Sequence, residues 1–341
     1  MIKGHGNDIY NSRYSVQLDF SSNIAFNCKN EEIFEHLKEN INNISNYPDP
    51  EASELRKIIA SHHNTSVKSI LITNGSAEAF YIVAHYTANA HSAIQTPSFA
   101  EYRDACILHN HKITHISTHQ ITKANLSNFR TIWIGNPNNP DGSIIPTDII
   151  ITLCKENPKS LFVMDEAYIH LCKTEQVAKS LNVIPKNLII IRSLTKAFAI
   201  PGLRLGYIVA SPDIISKIRQ MRPPWSVNSI ALIAGKYIMD RYEKLLPDIN
   251  QLCSESQALQ EAISKISGFE VTTSDCNFFL IKSTRIDARL LKSILLKKYG
   301  ILIRNASNFK GLTKYHFRVA TQSREENNRL IKALQDLSTN F

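Results

Sequence analysis

The sequence predicts an α/β fold: a large domain with a mostly parallel sheet flanked by helices, followed by a smaller α+β domain. Three observations predict it. Between about residues 50 and 225, short runs rich in Ile, Val and Leu alternate with helical patterns, the signature of buried parallel strands joined by crossover helices. Most of the runs stop at turn residues and are followed by polar or charged side chains. After "RPPWSVN" (222–228) the alternation gives way to a long two-faced helical stretch and then a mixture of strand-like and helical segments.

Taken in order, the candidate strands are "SILIT" (69–73), "SAIQTP" (92–97), "TIWIGNP" (131–137), "SLFVMDEAY" (160–168), "LIIIRSL" (188–194) and "LGYIVAS" (205–211). The helical stretch runs from about Ser229 to Ile266. It is followed by "NFFLIKS" (277–283), a helix near 287–299, "GILIRNAS" and "YHFRVAT". These patterns divide the chain into an N-terminal arm (1–40) packing on the small domain, a large domain (41–228) and a C-terminal small domain (229–341).

Composition excludes several classes. Apolar residues make up 43% of the 341 and charged residues 20%, and no apolar run reaches the ~20 residues needed to span a bilayer. The opening "MIKGHGNDIY" turns polar at once, unlike a secretory signal, so a cytoplasmic setting is expected. Six cysteines are scattered without CxxC spacing or a histidine cluster, which argues for reduced packing residues and against a metal site. The net charge of +9 is spread along the chain rather than blocked. It suits anionic small molecules better than nucleic acid, for which a helix-turn-helix pattern is also lacking.

In α/β sheets ligands bind beyond the carboxyl ends of the strands, and the residues found there form a constellation. "IIIRSLTKAFAIPGLRLGY" carries Lys196 in a mostly apolar run, with Arg192 and Arg204 for charged company. Asp165 and Tyr168 follow a buried strand, Asn138 and Asn139 lie in a Pro-rich turn, and Phe99 follows a third strand. Gly75, Ser76 and Ala77 open a helix whose free N–H groups and dipole suit a phosphate.

Singly, each has a plain explanation. Asp165 could cap a helix, Tyr168 and Phe99 could be core aromatics, Arg204 could form a structural ion pair, and Lys196 could snorkel. Together they make a chemical proposal. An amine in an apolar site favours its neutral form and can attack an aldehyde to form a Schiff base. An aspartate at a strand end can hold a pyridine nitrogen protonated, as in pyridoxal-phosphate enzymes. Asn139 and Tyr168 could meet the ring hydroxyl, Phe99 could stack on the ring, and Gly75-Ser76-Ala77 with Ser193 and Arg204 could hold the phosphate.

The order "NYPDP", "TNGSAE", "TPSFAEY", "NPNNPDG", "DEAY", "SLTKAFAIPGLRLGY", "HFRVAT" resembles the fold-type I pyridoxal-phosphate family, in its histidinol-phosphate aminotransferase branch. Within that branch "GHGND", "LDFSSNI", "PPWSVN" and "GILIRNASNFKGL" are similar to the L-threonine-O-3-phosphate decarboxylases of cobalamin biosynthesis. The resemblance covers about residues 4 to 335. It implies a seven-stranded sheet, pyridoxal 5′-phosphate as cofactor, Lys196 as the Schiff-base lysine and Asp165 as partner of the pyridine nitrogen.

It further implies that Ser76, Ala77, Ser193 and Arg204 meet the cofactor phosphate. Tyr47 of "NYPDP" would reach that phosphate from a second subunit of a homodimer. Arg304 and Arg318 would receive substrate anions, and His5, Gly6 and Asn23 would line the substrate site with Asn139. Two departures stand out. The family's HGGN start reads "HGND", so Asn7 stands where a glycine is usual. Its NPTG turn reads "NPDG", which brings Asp141 toward an electropositive site and predicts that its side chain points to solvent. The resemblance implies decarboxylation of phosphothreonine, with histidinol-phosphate transamination or the activity of a related class I/II aminotransferase as the alternative.

Overall fold

The computed structural model describes residues 6–11, 14–123, 125–172 and 185–339. In chain order its first part comprises β1 (Leu18–Asp19), α1 (Glu31–Glu39), α2 (Ser53–His62), β2 (Ile70–Thr73), α3 (Gly75–Tyr86), β3 (His91–Thr96) and α4 (Ala100–Leu108). Next come β4 (Lys112–Ser117), α5 (Thr118–Ile121), β5 (Thr131–Gly135), α6 (Thr147–Glu156), β6 (Leu161–Asp165), β7 (Leu188–Ser193), β8 (Gly206–Val209) and α7 (Pro212–Arg219). The strands β2 to β8 form one seven-stranded sheet in the order β2-β8-β7-β6-β5-β3-β4. It is parallel except for β8, which runs antiparallel to both β2 and β7.

Every residue of β5, β6 and β7 is buried, as expected of central strands covered on both faces. Because side chains alternate along a strand, consecutive residues feed two cores. Ile132, Phe162, Met164 and Ile190 pack with Leu55, Ile59 and Ile238 on one side. Trp133, Val163, Ile189 and Ile191 pack with Phe80, Val83 and Ile215 on the other.

The second part comprises α8 (Ser229–Asp240), α9 (Tyr242–Leu245), α10 (Ile249–Ser264), β9 (Phe269–Val271), β10 (Phe278–Ser283), α11 (Ala288–Tyr299), β11 (Ile301–Leu302), β12 (Arg304–Asn305), β13 (His316–Ala320) and α12 (Arg324–Thr339). The order β12-β13-β10-β9 makes an antiparallel sheet. Phe279, Ile281, Phe317 and Val319 of that sheet share a core with Leu259, Leu291 and Leu334. The N-terminal β1 pairs in parallel with β11, so residues 18–19 join this part of the molecule.

Two expectations needed correction. The long helix expected over Ser229–Ile266 is three helices. It breaks at Arg241 and again at Leu246-Pro247, after which Asp248 restarts it by accepting from Gln251 N at 3.0 Å. Strand β4, "KITHIS", was not expected at all, because it is a half-exposed edge strand whose lysine, threonine and histidine interrupt the apolar run.

Candidate active site

The ends of β3, β5, β6 and β7, the N-terminus of α3, the β12–β13 pair and the N-terminal segments converge on one cavity of about 250 Å³. Its walls carry Gly6, Asn23, Ser76, Ala77, Phe99, Asn139, Asp165, Tyr168, Ser193, Lys196, Arg204, Arg304 and Arg318. Of the expected site residues, Gly75 stands at the same helix start and touches Arg204. Tyr47 does not reach the cavity within this chain: it is 87% exposed, its ring 5.5 Å from that of half-exposed Trp225. His5 lies outside the described residues.

Lys196 sits in the turn directly after β7, and its amine has no hydrogen-bond or ion-pair partner among the described residues. Burial pushes that amine down to about 8, the charges of Arg204 and Arg318 add to the fall, and Asp165 opposes it. Arg192 is not company for Lys196. Strand alternation turns it away from Ser193 and into a buried ion pair with Glu166, Nε and Nη2 lying 2.8 and 2.7 Å from Oε2.

Asp165 closes β6, its backbone bound to Asn136 N at 2.8 Å. Burial raises its carboxyl to about 6, while hydrogen bonds hold the ionised form: Tyr102 Oη donates to Oδ2 at 2.6 Å and Ala167 N to Oδ1 at 2.9 Å. Phe99 is the N-cap residue of α4 and stands edge-on to Phe80 and Tyr102, at 6.3 and 5.9 Å between centroids. Tyr168 packs edge-on against Phe278 at 4.8 Å, and burial raises its hydroxyl pKa.

The start of α3 makes a tight turn against Arg204. Gly75 has φ +73, and a Cβ built there would lie 2.5 Å from Arg204 Nη2. Only glycine combines that backbone with so close a guanidinium. Ser193 Oγ lies 2.8 Å from Thr195 Oγ1, and the Arg204 guanidinium is steadied by Nη1 donating to Pro201 O at 2.9 Å.

On the opposite wall Arg304 and Arg318 are direct cross-strand partners. They are 6% and 4% exposed, and neither has a carboxylate ion-paired to it among the described residues. Like charges placed opposite one another destabilise a sheet, and burial pushes both guanidiniums below their usual range. Fixed neutral groups aim them. Arg318 donates through Nη1 to Asn139 Oδ1 at 2.6 Å and through Nη2 to Ser21 O, while its Nε is unpartnered among the described residues. Arg304 donates through Nη2 to Asn308 Oδ1 at 2.9 Å and lies over the Phe309 ring at 5.2 Å.

The N-terminal loop seals this wall. A Cβ on Gly6 would stand 2.3 Å from Ser21 O, so the loop can approach only as glycine. Asn7 takes the left-handed φ of 56, a conformation asparagine tolerates, and its N–H donates to Ser21 Oγ at 2.8 Å. This accounts for asparagine where the family has glycine. Asn23 is buried on the cavity wall beside Tyr168, whose hydroxyl it interacts with.

The expectation for Asp141 is overturned. Its carboxylate turns inward and accepts from Asn138 Nδ2 at 2.8 Å, Ser143 Oγ at 2.9 Å and Ser143 N at 3.1 Å. The turn uses it as an internal cap, which also ties up Asn138 and leaves Asn139 facing the cavity. Sequence reasoning missed Tyr102, Ser21 and Thr195. The signal for Tyr102 was present, since it follows Phe99 by three residues at a helix start, where i and i+3 share a face.

The model of the aminotransferase class I and II family matches residues 16–334. The chain belongs to this family. Its cofactor is pyridoxal 5′-phosphate. The residues fit that group: the Gly75 cradle beside Arg204, the unpartnered Lys196 amine and the buried Asp165 carboxylate face one cavity.

The threonine-phosphate decarboxylase of Salmonella typhimurium is 31% identical, over 94% of this chain and 91% of that protein. The crystal structure of L-threonine-O-3-phosphate decarboxylase from Porphyromonas gingivalis is 34% identical with a TM-score of 0.91, covering 94% of this chain and 99% of that one. Histidinol-phosphate aminotransferase from Clostridium acetobutylicum is 27% identical with a TM-score of 0.85, covering 95% and 100%. The chain spans 38% of the length of another relative, the adenosylcobalamin biosynthesis bifunctional protein CobDQ of Leptospira interrogans, at 31% identity over 94% of this chain. Among the described residues no helix is long and apolar enough to cross a membrane.

Proposed function

We propose that the protein decarboxylates L-threonine O-3-phosphate to (R)-1-amino-2-propanol O-2-phosphate in cobalamin biosynthesis. The observation that carries this is the opposed, buried pair Arg304 and Arg318, held by neutral groups and facing the cavity without an ion-paired carboxylate among the described residues. Such a pair calls for a strongly anionic ligand, and an arginine fork suits a phosphate held at two points. Support for the particular substrate comes from the two threonine-phosphate decarboxylases that are 31% and 34% identical.

The cofactor, when bound, supplies a conjugated electron sink for the bond that breaks at the substrate's Cα. Lys196 would hold it at its aldehyde carbon. Gly75, Ser76, Ala77, Ser193 and Arg204 would hold its phosphate, with Tyr47 of a second copy added in a cytoplasmic homodimer. Phe99 would stack on its ring, Asn139 and Tyr168 would meet the ring oxygen, and Asp165 would keep a proton at the ring nitrogen.

Arg304 and Arg318, with the His5-Gly6 loop and Asn23, bind the substrate phosphate. The substrate carboxylate would then be left unclamped, so that its bond to Cα is the one free to break. With an amine pKa of about 8, Lys196 would be mostly protonated at neutral pH and could deliver a proton to Cα once carbon dioxide has left.

The test is a product assay. Purified protein loaded with cofactor is given phosphothreonine, and separately histidinol phosphate with 2-oxoglutarate. Carbon dioxide and a phosphorylated amino alcohol from the first mixture support the reading. Glutamate from the second alone replaces it with the aminotransferase.

A further inference from the structure

We infer that Tyr102 is a positioning residue for the cofactor, acting through Asp165: its hydroxyl keeps that carboxylate ionised and aimed at the ring nitrogen. The inference rests on the cofactor roles proposed above and not on the choice of substrate.

The geometry leaves Tyr102 a single task. Its hydroxyl lies 2.6 Å from Asp165 Oδ2, in a site where the tyrosine is 2% exposed. The ring is fixed on three sides, edge-on to Phe80 at 5.0 Å and to Phe99 at 5.9 Å, and stacked with Trp133 at 6.1 Å. Room for the hydroxyl depends on a missing side chain, because a Cβ on Gly135 would come within 3.2 Å of it. One turn of α4 thus delivers both Phe99 to the cavity and Tyr102 to the back of Asp165.

Burial alone drives a carboxyl toward its neutral form. The Tyr102 and Ala167 donors work against that, each satisfying one oxygen of the ionised state. With the phenol removed, Asp165 loses its Oδ2 donor, takes up a proton at higher pH and holds the ring-nitrogen proton less well. A buried Tyr102 whose own pKa is raised well above the usual value remains a donor throughout the working range.

The experiment compares Tyr102→Phe, Asp165→Asn and Tyr81→Phe with wild type, each loaded with cofactor and assayed on whichever amino substrate wild type turns over. Tyr81 is a control from α3 whose hydroxyl donates to Glu101 instead. Tyr102→Phe is expected to lower kcat about tenfold, equivalent to ~1.4 kcal/mol, with KM nearly unchanged and the acidic limb of the pH profile moved to higher pH. Its bound-cofactor absorption spectrum should change in the same sense as that of Asp165→Asn, while Tyr81→Phe matches wild type.

A second reading separates this role from a packing defect. Reconstitution with N-methylpyridoxal phosphate, whose ring nitrogen carries a fixed positive charge, should bring Tyr102→Phe to the rate of wild type carrying the same analogue. Wild-type kinetics and spectrum in Tyr102→Phe, with Asp165→Asn impaired, overturn the inference and leave the cofactor site intact. A deficit that the analogue does not repair assigns Tyr102 to packing and overturns it too. An unimpaired Asp165→Asn removes both the inference and the role proposed for Asp165.

Discussion

Replacing Gly75 by alanine separates the cofactor's phosphate from the rest of its binding. The new methyl carbon would stand 2.5 Å from Arg204 Nη2, well inside contact distance, and the guanidinium is the group that must yield. A left-handed backbone costs a non-glycine residue about 1–2 kcal/mol, which lowers the stability of the folded protein whether or not ligand is present. Displacing Arg204 acts on binding alone: a hydrogen bond to a charged group contributes about 1.5–3 kcal/mol, so the affinity for pyridoxal 5′-phosphate should fall about 10- to 100-fold.

The assay titrates folded apoenzyme with pyridoxal 5′-phosphate and, in parallel, with pyridoxal lacking the phosphate. Gly75→Ala should weaken the first strongly and leave the second nearly unchanged. Equal loss for both ligands, or none for either, would refute the cradle.

Borohydride reduction of the loaded enzyme followed by peptide mapping should put the label on Lys196, and a label on any other lysine sinks that role. The depressed Lys196 pKa also has a stability consequence. Its folded value of about 8 lies below the ordinary 10.5, so the buried amine costs stability at pH below 8, and that cost fades as pH rises from 8 to 10.5. Apo Lys196→Met should therefore melt above apo wild type at pH 7, with the gap closing near pH 10.5; a gap independent of pH contradicts the assignment. Arg304→Lys should weaken substrate binding at least about tenfold while leaving cofactor affinity unchanged, since lysine lacks the planar fork; parallel losses would place Arg304 elsewhere in the site. Mixed Tyr47→Ala and Lys196→Ala chains should regain part of the activity that each lacks alone, and no recovery in proven mixed dimers counts against a shared site.

The cavity wall that carries Asp165, Ser193 and Lys196 was legible in the sequence because it is built from strand ends. Asp165, Ser193 and Lys196 sit where apolar runs stop, and topology alone carries such residues to one edge of a sheet. The opposite wall was harder to read, because Arg304 and Arg318 meet only through the β12–β13 pairing, and β12 is two residues long. Resemblance, not periodicity, pointed to them. Asp141 misled for a local reason: a charged residue in a Pro-Asp-Gly turn reads as solvated, yet Asn138 and Ser143 supply enough donors to turn it inward. Tyr102 was passed over because a buried aromatic at a helix start has the same appearance whether or not its hydroxyl meets a carboxylate. The edge strand β4 escaped because half-exposed strands need no continuous apolar run.

The fate of one carbon tests the account most directly. Phosphothreonine labelled with carbon-13 at its carboxyl group, incubated with the cofactor-loaded enzyme and followed by NMR, reports which bond at Cα breaks. The account predicts that the label leaves as carbon dioxide and bicarbonate, one per phosphothreonine consumed, with a phosphorylated amino alcohol accumulating in step. A label retained in a phosphorylated 2-oxo acid, or no consumption while histidinol phosphate and 2-oxoglutarate react, would contradict it.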